Sequence, residues 1–244
     1  MKVTFVGSGD AFGTGGRFNT CFLVQHSSGA FLIDCGASSL VAIRKLRVDP
    51  NLVDTIFVSH LHGDHFGGVP FFLLDAQFYS RRRTPLTLVG PRGFQTRLTE
   101  ALEVFFPGSS KTNPKFDLSV VELDAGLERT FGSVQLLPFL VSHECGAPPF
   151  ALRLACDGKI IAYSGDTEWT ENLISAARSA DLLIAECLTF DKPIKFHMSY
   201  SALRPNLDRI GAQRVVLTHM GPDMLVHAPD GVELAHDGLV VELK

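Results

Sequence analysis

Between positions 58 and 68 the chain reads Val-Ser-His-Leu-His-Gly-Asp-His-Phe-Gly-Gly, placing His60, His62, Asp64 and His65 within six positions. Imidazoles mixed with a carboxylate are the donors that a borderline divalent cation such as zinc takes. Successive side chains of an extended strand point to opposite faces, so His60 and His62 are expected on one side. Gly63 is expected to free the backbone to turn, sending Asp64 and His65 in another direction. One short loop with two directions of exit can serve two neighbouring cations. A polar surface loop has no need of three histidines and an aspartate directly after an apolar run.

Three further candidates stand where predicted strands stop. His143 follows residues 138–141, Asp166 follows 160–163 within Ser164-Gly165-Asp166-Thr167, and His219 follows 215–217. Each alone reads more readily as a cap or a satisfied surface residue; beside the histidine loop they gain weight. Phe57-Val58-Ser59-His60 is echoed by Val216-Leu217-Thr218-His219, so both halves are expected to aim strand ends at one cleft.

The elements that must position these groups show as alternating or apolar runs. Strands are predicted over 2–6, 20–25, 30–33, 53–59 and 86–89, with a hairpin through Ser27-Ser28-Gly29. The Gly-rich stretch from Gly7 to Gly16 lacks the Gly-Lys-Ser/Thr of a P-loop and the third glycine of a dinucleotide fingerprint. It is left as a flexible loop needing positive φ, or as a phosphate contact through its amides. Helices are predicted over 38–46, 69–79 and 91–106, with Gly67 and Gly68 permitting close approach. Arg81-Arg82-Arg83 reads as a solvated helix end rather than an anion-binding patch. Further strands are predicted over 118–123, 133–140, 150–155, 159–163, 181–186, 214–218 and 239–243. Helices fall at 171–178 and 201–210, and Asp157-Gly158 is a tight hairpin turn. This order predicts two packed sheets with helices outside.

Composition bounds the rest. A chain of 244 residues suits one domain, taken as 1–244, and 45% hydrophobic residues are ordinary for a soluble protein. A net charge of −4 supplies no basic field to gather nucleic acid or an anionic membrane. Five scattered cysteines without a C-x-x-C pair suit reduced thiols in the cytoplasm. Met1 leads straight into a predicted strand, leaving no room for a signal peptide. The apolar run 69–74 is too short to span a bilayer, so no membrane is expected. A homodimer is left open.

Together, His60-x-His62-x-Asp64-His65, His143, Asp166 and His219 resemble the motif series of the metallo-β-lactamase superfamily, over nearly the whole chain. The resemblance implies an α+β fold, an αββα sandwich of two packed mixed β-sheets with helices on the outer faces. It implies two divalent metal ions: His60, His62 and His143 on one, Asp64, His65 and His219 on the other, and Asp166 bridging. Zinc is favoured, with manganese or iron as alternatives. Asp34 resembles the family's buried aspartate, which supports the metal loop by fixing its histidine rings.

Within the superfamily, the β-lactamase branch has a cysteine where Asp166 stands, and flavodiiron oxidoreductases add a flavin domain for which this chain has no room. Phe5-x-Gly7-x-Gly9, Arg17-x-Asn19, Ala185-Glu186-Cys187 and Phe196-His197-Met198-Ser199 resemble motifs of RNase Z. Ala185 replaces a usual histidine, and Met198-Ser199 a usual Ser-Thr. RNase Z enzymes that bind tRNA carry a long arm between the positions of His143 and Asp166, where this chain has only 22 residues. Binding of tRNA is therefore not expected. The small cyclic-ribose phosphodiesterase of phosphonate breakdown, which also lacks the arm, is the closer resemblance.

The resemblance thus implies a two-metal phosphodiesterase for a small nucleotide or sugar phosphodiester, with a hydroxide bridging the metals as nucleophile. Two dications set against Asp64, Asp166 and that hydroxide leave one net positive charge, which suits a phosphodiester monoanion. The catalytic residues are then Asp64, His197 and Glu186. His197, kept protonated by Glu186, would bind a phosphoryl oxygen or protonate the leaving alkoxide. Lactone or thioester hydrolysis on the same metals is one alternative, although a neutral ester would not need His197 with Glu186. A non-catalytic metal-binding scaffold is the other, disfavoured by the full ligand set. His26, His227 and His236 read as ordinary surface histidines.

Overall fold

Period-two alternation in the strands decides which side chains meet at the centre. In the computed structural model, which describes residues 1–227 and 229–244, fourteen strands form two seven-stranded sheets. The first contains β1 (Lys2–Gly7), β2 (Cys21–His26), β3 (Gly29–Ile33), β4 (Val53–Phe57), β5 (Leu86–Pro91) and β6 (Leu118–Leu123). The second contains β7 (Arg129–Phe131), β8 (Val134–Leu140), β9 (Phe150–Cys156), β10 (Lys159–Tyr163), β11 (Leu182–Glu186), β12 (Val215–Thr218) and β13 (Glu233–Leu234). The last strand, β14 (Val240–Glu242), returns to the first sheet and pairs antiparallel with β1.

Phe22 and Val24 of β2 and Phe31 and Ile33 of β3 face inward, meeting Phe150, Leu152, Ile161 and Tyr163 of the second sheet. Their alternates, Cys21, Leu23, Ala30 and Leu32, face outward onto helices α1 (Ser39–Lys45), α2 (Gly63–Phe66), α3 (Val69–Leu74) and α4 (Phe94–Phe105). Ala162, Leu183 and Leu217 likewise lie under α5 (Asn172–Ala177), α6 (Tyr200–Leu203) and α7 (Leu207–Ile210). The result is the expected αββα sandwich of class α+β. No helix among the described residues is long and apolar enough to cross a membrane.

Each sheet runs through three antiparallel junctions and then three parallel ones. Parallel strands bring their carboxyl ends to one edge. Asp34 follows β3 and the histidine loop follows β4; in the other sheet Asp166, Glu186 and His219 end or follow β10, β11 and β12.

Several expectations change in detail. Pro91 ends β5 instead of starting a helix, since its fixed φ suits a strand end and α4 begins only after Gly93. The helix expected over 69–79 is α-helical to Leu74 and then widens into a π turn, Asp75–Tyr79. Pro205 lacks an N–H, and the helix expected over 201–210 splits there into α6, a 3-10 turn and α7. Strands β7 and β13 are too short to show a sequence period and exist through pairing with β8 and β12.

The arginine run is not a solvated helix end throughout. Arg82 is 2% exposed, and its guanidinium donates to the carbonyls of Thr84 (2.9 Å), Val53 (2.5 Å) and Pro85 (2.7 Å). Val53 and Pro85 lie where β4 and β5 begin, so Arg82 staples the end of the sheet opposite the histidine loop. Arg82→Ala should therefore lower stability by roughly 2–4 kcal/mol in urea unfolding, by leaving buried carbonyls unpaired. Arg83→Ala, at an exposed position, should change it by less than about 0.5 kcal/mol.

Candidate metal centre

The histidine loop is shaped by a carboxylate rather than by strand pairing. The strand stops at Phe57, two residues earlier than expected, and Asp34 takes over. Its Oδ1 accepts from the Ser59 amide at 2.7 Å and its Oδ2 from Ser59 Oγ at 2.8 Å. Residues 58–62 continue as loop, with His62 extended (φ −78°, ψ 151°), so His60 and His62 still share a side. Gly63 does not act as expected. It opens the short helix α2 without a positive φ, and a Cβ there would meet nothing. The helix start, not glycine freedom, sends Asp64 and His65 the other way. Glycines the site does need are Gly36 and Gly68, where a Cβ would lie 2.1 Å from the Asp64 carbonyl and 2.2 Å from the Gly36 carbonyl respectively.

The side chains gather as two adjoining groups. His60, His62 and His143 offer ring nitrogens within 4.8 Å of one another, and so do the ligand atoms of Asp64, His65, Asp166 and His219. Asp166 lies between them: Oδ2 is 3.8 Å from His60 Nε2, and Oδ1 is 3.3 Å from His65 Nε2. His219 Nε2 reaches Asp64 Oδ2 at 3.1 Å and Asp166 Oδ2 at 3.3 Å. The far nitrogens are tied down. His65 Nδ1 is 2.7 Å from Asp34 Oδ2, and His143 Nδ1 donates to the Phe196 carbonyl at 2.9 Å. Each ring is thus turned with Nε2 toward the centre.

Divalent cations fit this donor set. His60 Nε2, His65 Nε2 and Asp166 Oδ1 are buried and make no hydrogen bond. Buried polar atoms are rarely left so, and a cation in each group, with Asp166 facing both, would satisfy all three. The charge balance points the same way. Burial, reinforced by His65, holds His60 far below the usual histidine range, and burial lowers His62 and His143 too. All three are neutral donors. Burial also opposes charge on His65 and His219, but Asp166 and Asp64 outweigh it, raising His65 strongly and His219 to about 9. Burial would lift the pKa of Asp64 and Asp166, yet His65 and His219 hold both well below the usual carboxylate range.

Glu186 and His197 also meet. Glu186, fully buried at the end of β11, hydrogen-bonds His197 Nδ1 through Oε1. Its Oε2 accepts from the amides of Thr167 (2.7 Å) and Met198 (3.3 Å). Burial works against charge on His197, but Glu186 and Asp166 outweigh it and its pKa rises. Burial and then Asp166 raise the pKa of Glu186, opposed by His197, while the two amides donate to its carboxylate and favour the anion, which leaves the shared proton on the imidazole. Asp166, Glu186, His197 and His219 also place ligand atoms within 4.8 Å of one another. His197 therefore has two geometrically open roles.

Sequence reading missed the groups that hold these loops. Glu168 Oε1 accepts from the Phe196 amide at 2.7 Å, and the Ser8 carbonyl accepts from the His219 amide at 3.1 Å. Neither carries a local signal. Asp34, Phe196 and His219 all take positive φ (56°, 70° and 57°), conformations that cost of order 1–3 kcal/mol each for residues other than glycine. His26, His227 and His236 lie outside the cluster.

The ribonuclease Z of Geobacillus kaustophilus is 25% identical over 279 aligned positions, spanning 90% of this chain and 88% of that protein. The structure of the short form of human tRNase Z has a TM-score of 0.81 and 23% identity, covering all of both chains. A diphosphatase from the PhnP family has a TM-score of 0.78 at 18% identity, over 100% of this chain and 98% of its own. Fold and site define a metal-dependent hydrolase of the metallo-β-lactamase superfamily, in its RNase Z-like phosphodiesterase branch. The chain belongs to the family described as "Anti-Pycsar protein Apyc1", which it matches over residues 1–239.

The raised pKa of His219 predicts how stability depends on pH. Its folded value of about 9 exceeds the unfolded value of about 6.5, so its contribution is complete below pH 6.5 and lost by about pH 9. Cations displace such protons and bind better as pH rises. The Tm of metal-free protein should fall between pH 6.5 and 9, and the Tm increase on adding zinc should grow over that range. A zinc-induced shift that shrinks with pH would contradict this.

Proposed function

We propose that this chain hydrolyses a small phosphodiester of a nucleotide or sugar, using two divalent cations, with zinc favoured by the imidazole count. His60, His62 and His143 would hold one cation, Asp64, His65 and His219 the other, and Asp166 both. When bound, the cations would polarise phosphoryl oxygens and acidify a water held between them. The observation that carries the reading is the His197–Glu186 pair beside Asp166. It places a protonated donor next to a cation site, where a phosphodiester presents its anionic oxygen and its leaving alkoxide. Glu186 holds the ring by Nδ1, which leaves Nε2 for the substrate. A lactone or thioester has no equivalent need for this pair.

Precursor tRNA is not the proposed substrate. β9 and β10 take up most of the stretch between His143 and Asp166, leaving no arm there. The alignment with the Geobacillus enzyme is longer than this whole chain, so that relative carries segments missing here. All five cysteines are free and buried, which suits a reducing, cytoplasmic compartment.

Reconstituted protein should hold about two transition-metal ions per chain and turn over bis(p-nitrophenyl) phosphate in preference to a neutral lactone. Asp166→Ala should lower the content of both ions, since one carboxylate faces both groups. Unchanged content by metal analysis would remove Asp166 as the bridge. His197→Ala should keep both ions and lose roughly 10²–10⁴-fold in rate on a diester with a poor leaving group. Loss of metal in that variant would make His197 a ligand instead, and full activity would remove its role.

A further inference from the structure

Asp166, Thr167 and Glu168 follow one another just beyond β10, and each ties down a different part of the cluster. Asp166 lies between the two groups of ligands. Thr167 donates its amide to Glu186 Oε2 at 2.7 Å and accepts the Ser142 amide on Oγ1 at 3.0 Å. Glu168 is the one that the proposed reaction leaves unused. Its Oε1 accepts from the Phe196 amide at 2.7 Å, its Oε2 from Ser142 Oγ at 3.4 Å, and its own amide donates to the Ser142 carbonyl at 3.1 Å. A half-buried carboxylate thus joins the residue before His143 to the residue before His197.

The backbone at Phe196 carries the aim of both rings. Phe196 stands at φ 70°, a conformation that residues other than glycine keep only when their surroundings hold it. Its amide is held by Glu168, and its carbonyl accepts the Nδ1 proton of His143 at 2.9 Å. His197 comes next, with its amide bonded to the Ile194 carbonyl of its own loop at 3.1 Å. Residues 191–195, which lead into Phe196, are exposed throughout. The bond from Glu168 therefore ties the end of an outward-facing segment to the stretch that holds Asp166.

We propose that Glu168 is a positioning residue, which fixes His143 for its cation and His197 for the leaving group at once, through the backbone of Phe196. The part concerning His197 rests on the phosphodiesterase reading, and the part concerning His143 only on the fit of cations to the cluster. Without the carboxylate, Phe196 is free to relax to negative φ. That turns its carbonyl off His143 Nδ1 and swings the following ring away from Glu186. Groups that orient a metal-ligating histidine matter by roughly 10–100-fold in metal affinity or activity, and Glu168 acts one step further out, so about ten-fold is expected.

The test compares wild type, Glu168→Ala and Glu168→Gln, whose amide can accept from the same N–H and donate to the same hydroxyl. Competition titration with zinc should show one ion held about ten-fold more weakly in Glu168→Ala and the other as in wild type. The ratio of kcat for a diester with an alkyl leaving group to kcat for bis(p-nitrophenyl) phosphate should also fall about ten-fold, because only the alkoxide needs the proton of His197. Glu168→Gln should keep both properties. A purely structural role would leave the ratio unmoved and weaken both ions or neither, and either result overturns the proposal. So does a Glu168→Gln variant as impaired as Glu168→Ala. If wild type turns over neither diester, the phosphodiesterase reading falls and the titration alone decides. One ion weakened and restored by Glu168→Gln still supports the action on His143, while both or neither weakened overturns it.

Discussion

Asp166 is a carboxylate at 1% exposure, and a charge so buried persists only if it is matched. Imidazoles supply the match: His60, His65, His197 and His219 each bring a ring nitrogen within 4 Å of it. Those rings come from three separate stretches of chain, so satisfying one carboxylate requires both sheets to meet at this edge. Without cations the balance is kept by protons on His65 and His219; with cations it is kept by metal charge.

Parallel pairing supplies the convergence. In each sheet the parallel strands end together, and their loops need travel only a few residues to meet. The final aim is set by locally costly conformations. Asp34 and His219 stand in left-handed backbone immediately after their strands, and Phe196 does so immediately before His197. The hydrogen bonds of Asp34 to Ser59 and His65, of His219 to Ser8, and of Phe196 to Glu168 and His143 offset that cost.

One loop couples the two chemical functions of the cleft. The segment that presents His197 also accepts the Nδ1 proton of His143 through Phe196, so the acid candidate and a metal-ligand candidate are oriented by one peptide. The Ser8 carbonyl, just after β1, accepts from the His219 amide and ties a second loop to the cluster. Relatives in the RNase Z branch share the sandwich, and in this chain β9 and β10 take up most of the connection between His143 and Asp166. In this architecture the candidate ligands stand at or just beyond the strand ends.

Much of the site was legible in the sequence because donor type is a local property. His60-x-His62-x-Asp64-His65 names its chemistry within six residues, and a histidine or aspartate at the end of an apolar run marks a strand delivering it. Alternation of period two likewise fixed most strands and, with them, the two-sheet core. Distances were not legible, because they depend on packing between residues far apart in the chain. Asp34 replacing strand pairing at Ser59, Arg82 buried among carbonyls instead of solvated, and Glu168 holding the His197 loop all depend on partners brought in by the fold. So does the turn at Gly63, which the chain makes by starting a helix rather than by using glycine's freedom. A sequence states which groups can bind a cation; only the sheets, by bringing parallel ends to one edge, decide that Asp166 stands between the two sets of histidines.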